Sequence, residues 1–194
     1  MSKEPRLIIV GGPSGSGKTS TAAFIAEKYP LIVHYRQQLT TRQPRENEYN
    51  HRPYIYLANG ELEEMRKRGE IVVITDFAGN FYAYDNRFVQ SVKAHFGQGK
   101  SIVVDSIHSI HDWLRFSQET GIKLLTIFLY SNDINLLRER VKSRQQIDEA
   151  TLEERMEHAK NCLQEKEFFD YSLDTTNFDD SFFEKLETII WSNL

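Results

Sequence analysis

The segment Gly12-Pro13-Ser14-Gly15-Ser16-Gly17-Lys18-Thr19 fits the pattern G-x-x-x-x-G-K-[ST], and no other feature constrains the fold as strongly. It lies between a continuous apolar run, Leu7-Ile8-Ile9-Val10, and a helix-like stretch from Thr21 to Glu27 that closes before Pro30. An apolar run without polar alternation suits a strand buried on both faces of a parallel sheet. A glycine-rich turn leading from such a strand into a helix is the context this motif requires. The glycines let consecutive backbone N–H groups face one centre, and the helix N-terminus adds positive potential. Lys18 is then placed to reach β- and γ-phosphates, and Thr19 is a candidate Mg²⁺ ligand. The loop alone leaves GTPase, motor, transporter ATPase and small-molecule kinase open. Asp76-Phe77-Ala78-Gly79 fits D-x-x-G, but no N-K-x-D follows to read a guanine, so that match is taken as chance.

Further apolar runs at 31–34, 102–105 and 124–130 alternate with helix-like stretches near 108–120, 133–143, 149–168 and 180–191. That rhythm predicts an α/β fold, a doubly wound parallel sheet forming a P-loop NTPase core. Asp105 closes the strand Ile102-Val103-Val104, where P-loop enzymes carry a second Mg²⁺-directed carboxylate; the lesser reading is a helix N-cap for the segment after it. Residues 36–85 break the rhythm with Gln, Arg, Pro, Asn and Tyr before short strand-like pieces at 71–75 and 81–84, which places an inserted flap there. The mixed charges of 142–155 predict a helical lid. The chain is thus expected to form one domain over 1–194, with its core in 1–35, 86–141 and 156–194.

The charge balance of 24 Lys plus Arg against 28 Asp plus Glu gives a net charge of -4, which disfavours a broadly basic nucleic-acid binder. Cys162 is the only cysteine, so no internal disulfide can form, and no Cys/His spacing suits zinc. His108 and His111 lack a third ligand and read as a solvated or core-edge helix face. No apolar run approaches the roughly 18 residues of a membrane span, and the opening Met1-Ser2-Lys3-Glu4-Pro5 lacks the apolar segment of a signal peptide. A cytoplasmic location without membrane or nucleic-acid partners is expected; monomer or homodimer stays open.

Within the flap, Thr40-Thr41-Arg42-Gln43-Pro44-Arg45 sets two guanidinium groups three residues apart. Each can grip phosphate oxygens through a planar fork, and Tyr54 and Tyr82 can add phenolic donors. Joined to the loop at 12–19, to Glu48 and Tyr54, Gly69-Glu70, Gly79-Asn80-Phe81-Tyr82, Asp105, and Arg140, Arg144 and Arg155, this order resembles the guanylate kinase family over nearly the whole chain. The resemblance implies an enzyme with ATP and Mg²⁺ as cofactors and a phosphorylated small molecule as partner, moving the ATP γ-phosphoryl onto a monophosphate. It further implies that Gly12 to Thr19 and Arg140 serve ATP, with Thr19 and Asp105 on the metal. Lys18, Asp105, Arg144 and Arg155 would carry catalysis, and Arg42, Arg45, Tyr54 and Tyr82 would hold the acceptor phosphate.

The base-reading half departs from the family's pattern. Ungapped alignment on Gly79-Asn80-Phe81-Tyr82 puts Val73 at a guanine-binding Glu and Tyr84 at a small Ser. Alignment on Asp105 puts Ile107 at a guanine-binding Asp, and Gln38 replaces a Ser before Leu39-Thr40-Thr41-Arg42. Losing two hydrogen bonds to charged acceptors, at roughly 1.5–3 kcal/mol each, weakens discrimination for guanine. The expectation is therefore an acceptor other than GMP. A guanylate kinase with a compensated pocket is the alternative, and a non-catalytic binding module of the same fold is a third reading that the intact loop disfavours.

Overall fold

The computed structural model describes residues 4–44, 54–143 and 147–194. Its centre is a parallel sheet of five strands in the order β2-β7-β1-β8-β9: β1 (Leu7–Gly11), β2 (Ile32–His34), β7 (Ser101–Asp105), β8 (Leu124–Tyr130) and β9 (Tyr171–Asp174). β1 is unbroken in its hydrophobicity because both its faces are covered. Leu7 and Ile9 face one core cluster, with Ile102, Val104 and Phe128 beside them. Ile8 and Val10 face the other, with Val103, Ile127 and Leu129. All are fully buried, each worth about 1.5–3 kcal/mol of apolar transfer. Helices α1 (Lys18–Lys28) and α7 (Asp180–Asn193) cover the second face through Ala22, Ile25, Phe182 and Leu186; α3 (Asn86–Gly97) and α4 (Ile110–Thr120) cover the first through Phe88, Val92, Trp113 and Phe116.

A separate, mixed sheet runs in the order β4-β3-β6-β5, from β3 (Gln38–Thr40), β4 (Tyr54–Tyr56), β5 (Ile71–Phe77) and β6 (Asn80–Asp85). Helix α2 (Asn59–Lys67) packs on one face of it through Leu62, against Leu39 and Ala83. The other face turns Val73 and Tyr84 into the main core. β5 and β6 join through Ala78 and Gly79 at φ 51° and 68°. Two successive left-handed residues make the primed turn whose twist suits a two-residue hairpin. The D-x-x-G match is therefore a hairpin tip.

α5 (Ile134–Lys142) and α6 (Glu149–Cys162) pack together around Val141, Leu152 and Met156. A 3-10 turn, Leu163–Phe168, follows α6 where the sequence rhythm predicts one continuous helix. Asp133 and Asp148 cap α5 and α6 by accepting backbone N–H groups of their first turns. No helix among the described residues is long and apolar enough to cross a membrane.

Candidate active site

The loop after β1 is shaped by close approach to neighbouring backbone. Gly12 and Gly15 lie at φ 133° and 84°, and a Cβ on them would stand 2.1 Å from the Leu129 carbonyl oxygen and 2.7 Å from that of Leu137. Only glycine fits there. Ser16 N–H donates to the Pro13 carbonyl at 3.2 Å, curling the loop. The Ser16 hydroxyl is buried without a hydrogen-bond partner among the described residues. Gly17 is the N-cap of α1 and supplies no side-chain cap, and no acidic residue stands in the first turn, so the helix's leading N–H groups are left for a ligand. Lys18 Nζ donates to the Gly12 and Pro13 carbonyls at 2.8 and 2.9 Å, which holds the ammonium at the loop's mouth. A cradle that excludes any Cβ, uncapped helix donors and a convergent cation fit a polyphosphate.

Two oxygen donors meet beside the loop. Thr19 Oγ1 donates to Asp105 Oδ2 at 2.6 Å, and His34 Nε2 lies 3.1 Å from Asp105 Oδ1. Arg36 Nε donates to His34 Nδ1 at 3.1 Å, so Nδ1 accepts and the Nε2–H points at the carboxylate. Burial works against the Asp105 charge, but the hydrogen bonds from His34 and Thr19 outweigh it and hold the carboxyl below its ordinary value. A hydroxyl and an ionised carboxylate are hard donors that fit Mg²⁺. Asp105 is not an N-cap, because Ser109 caps α4.

From the other side comes Arg42, whose guanidinium lies over the rings of Tyr54 and Tyr56 at 5.3 and 5.9 Å and donates to the Gln43 carbonyl. The Tyr54 and Tyr82 rings are 6.1 Å apart. Arg155 enters from α6, its guanidinium 6.0 Å from the Phe77 ring. One cleft is lined by Ser14, Gly15, Lys18, Thr19, Gln38, Arg42, Tyr54, Tyr82, Asp105, Ile107 and Arg155, together with Phe77 and Val141, which sequence reasoning did not single out. The expected residues Arg45 and Arg144 lie outside the described residues.

Three expected residues stand elsewhere. Arg140 donates to the carbonyls of Thr175 and Thr176 at 2.9 and 3.2 Å, and its guanidinium covers the Phe178 ring at 5.2 Å, outside the cleft lining. Val73 is a core residue, 4% exposed and clustered with Tyr84, Phe88 and Trp113. Tyr84 is 2% exposed, its ring 4.3 Å from Phe88 and 5.4 Å from Trp113, and burial pushes its phenol well above the usual range. It lines a side cavity together with Gln38, Tyr54 and Asp105. Gln38 is 5% exposed, and its amide nitrogen meets His108 Nε2 at 2.7 Å. His108 precedes α4 and is buried, so it is not on the solvated or core-edge helix face expected of it; His111 does stand on an exposed face of α4, its ring 4.8 Å from that of Phe168. His34 was missed because it ends an apolar run, and only the parallel pairing of β2 with β7 carries it to Asp105.

A parallel sheet whose central strand runs into a glycine cradle, with a Thr–Asp oxygen pair at its edge and arginine-bearing elements across the cleft, defines a P-loop phosphotransferase of the nucleotide kinase class. The family model described as guanylate kinase matches residues 4–193, and the chain belongs to that family, whose members are nucleoside monophosphate kinases. It is similar to a guanylate kinase of Nostoc sp., 28% identical over 174 residues that make up 90% of this chain and 84% of that protein. One of Lactobacillus acidophilus is 27% identical over 173 residues, 89% and 82% of the two chains. Among solved structures, guanylate kinase from Anaplasma phagocytophilum shares the fold at a TM-score of 0.71 and 18% identity, covering 100% of this chain and 88% of its own.

Proposed function

We propose that this protein transfers the γ-phosphoryl group of ATP to the phosphate of a nucleoside monophosphate. A single observation carries this reading: Lys18, Thr19 and Asp105 on one side and Arg42, Tyr54, Tyr82 and Arg155 on the other line one cleft. The ATP phosphates lie in the loop from Gly12 to Thr19, and Arg42 with the two tyrosines holds the acceptor phosphate. An acceptor oxygen attacks the γ-phosphorus, and the bond to the ADP oxygen breaks. The acceptor phosphate is already ionised, so the protein supplies positioning and charge neutralisation rather than a base. Thr19 and Asp105 would hold Mg²⁺, which would supply further neutralisation of the polyphosphate charge. Lys18 and Arg155 meet the charge of the transferring group, and residues 36–85 and 142–155 act as flap and lid that exclude water.

Two readings of the acceptor remain, each with its own support. The relatives' names favour GMP. The side chains favour another base, because Val73 and Ile107 put aliphatic carbon where the family resemblance expects carboxylates, and Tyr84 fills the volume of a Ser. A coupled assay of ADP release with Mg²⁺-ATP and AMP, GMP, CMP, UMP or dTMP tests both. Turnover with at least one monophosphate is expected, and none with any would refute the kinase reading. A kcat/KM for GMP far above the others would establish the first acceptor and sink the second.

A further inference from the structure

Behind the phosphate cleft lies a second cavity of about 180 Å³, and Ile107 borders both. Its floor is aromatic: Phe128 of β8 and Phe169, with ring centroids 5.0 Å apart. Its polar lining includes His108 in the loop after β7, Asn161 and Glu165 at the end of α6 and in the turn after it, and His158 of α6. An apolar floor with a few convergent polar groups suits a planar ring bound by its face and read along its edge.

His108 marks the cavity as a place for a ligand. Its side chain is 4% exposed, Nε2 is engaged by the Gln38 amide, and Nδ1 has no hydrogen-bond partner among the described residues. A buried polar atom left without a partner is costly and rare, and here it belongs to a residue that lines the cavity. Gln38, at the other end of that bond, lines the phosphate cleft, so one hydrogen bond spans the partition between the two spaces. Glu165 Oε2 accepts the Ile110 N–H at 3.1 Å at the start of α4. That contact orients the carboxylate while using one acceptor position of a group that offers about four.

We propose that this cavity seats the base of the monophosphate acceptor and that His108, Asn161 and Glu165 read it, in place of positions 73 and 84, which core packing has claimed. The inference rests on the kinase reading above. Glu165 accepts from an N–H edge of the base, His108 Nδ1 gains its missing partner, and the Asn161 amide serves as donor or acceptor. Recognition is thereby shifted from the flap sheet to the loop after β7, the end of α6 and the turn that follows it; α6 also carries Arg155 into the phosphate cleft.

Glu165→Gln and Asn161→Ala test this. The first keeps an oxygen for the Ile110 N–H and removes only the charge; the second alters an exposed position, so both should fold, with melting temperatures near wild type. Initial rates with AMP, GMP, CMP, UMP and dTMP are compared with the calorimetric Kd for ATP. For the wild-type enzyme's best monophosphate, Glu165→Gln should lower kcat/KM at least about tenfold, mainly through KM, with ATP binding unchanged within about twofold. Asn161→Ala should act in the same direction. If wild type turns over a monophosphate and both variants match it, or if ATP binding falls equally, the inference is overturned while the kinase reading stands. If wild type phosphorylates none of the five, both fail.

Discussion

Replacing Val73 with Glu tests whether this position belongs to the core or to a base-reading wall. In β5 it pairs with Tyr84 of β6, is 4% exposed, and sits in a cluster with Tyr84, Phe88 and Trp113. A carboxylate there exchanges water for aromatic carbon, and buried Glu groups are known with pKa values of about 8–9. A rise of about 3 units above the ordinary 4.3 corresponds to roughly 4 kcal/mol at neutral pH. At about 2–4 °C per kcal/mol for a chain of this size, Val73→Glu should melt roughly 10 °C below wild type. The sign with pH follows from protonation. Below about pH 4 the carboxyl is neutral in both folded and unfolded states and the charge penalty vanishes; as pH rises through 4.3 the unfolded state ionises first and the penalty grows. Calorimetric melts at pH 4.5 and pH 8 should therefore show the deficit against wild type widening at the higher pH. Val73→Glu combined with Ile107→Asp should not create GMP turnover, because Tyr84 still fills the space. A deficit under about 2 °C at pH 8, or a gain in GMP turnover from the double variant, would refute the core placement.

Lys18→Ala should lower kcat at least about a hundredfold, the scale of losing one major electrostatic stabiliser; turnover at the wild-type rate in the coupled assay would exclude its role. Arg42→Ala should weaken acceptor binding by about 1.5–3 kcal/mol in KM and leave the calorimetric Kd for ATP nearly unchanged, and equal losses for both ligands would contradict the assignment. Burial holds the His108 pKa at about 3, against about 6.5 in an unfolded chain, so the unfolded state takes up a proton that the folded state refuses as pH falls below 6.5. Stability is then lost on acidification by about 2 kcal/mol at pH 5, and His108→Gln should lose less between pH 7.5 and pH 5 in urea titrations. Identical losses in the two proteins would mean that His108 is charged when folded.

Much of the fold was legible because its signals are local. The runs at 7–10, 102–105 and 124–130 are continuous in hydrophobicity because strands covered on both faces have no polar side to display, and all are strands of the parallel sheet. Strands β3 and β4 were not legible. Each spans only three residues and carries polar or aromatic side chains, and each exists because β6 and its neighbours pair with it. α6 gives way to a 3-10 turn that the charge-rich pattern of 149–168 does not announce. That turn matters for the site, since it is where Glu165 leaves the helix to meet the N-terminus of α4.

The two halves of the candidate site differ in the same way. A phosphate cradle is made of backbone, so it needs a run of glycines at fixed spacing, and Gly12 to Thr19 shows that need in eight consecutive letters. A base is read by side-chain edges that arrive from separate elements, so no spacing records them. His108 and Gln38 lie 70 residues apart and meet only because β3 of the flap sheet comes alongside the loop after β7. Neighbouring positions are also packed together: the Tyr84 ring lies on Phe88 and Trp113, and Val73, its partner across the strands, is core. A carboxylate at position 73 would then be buried among aromatic rings, without a base to accept from. Val73 and Tyr84 are thus packed as one unit with Phe88 and Trp113, so a change of size or charge at either position has to be absorbed by the other three side chains.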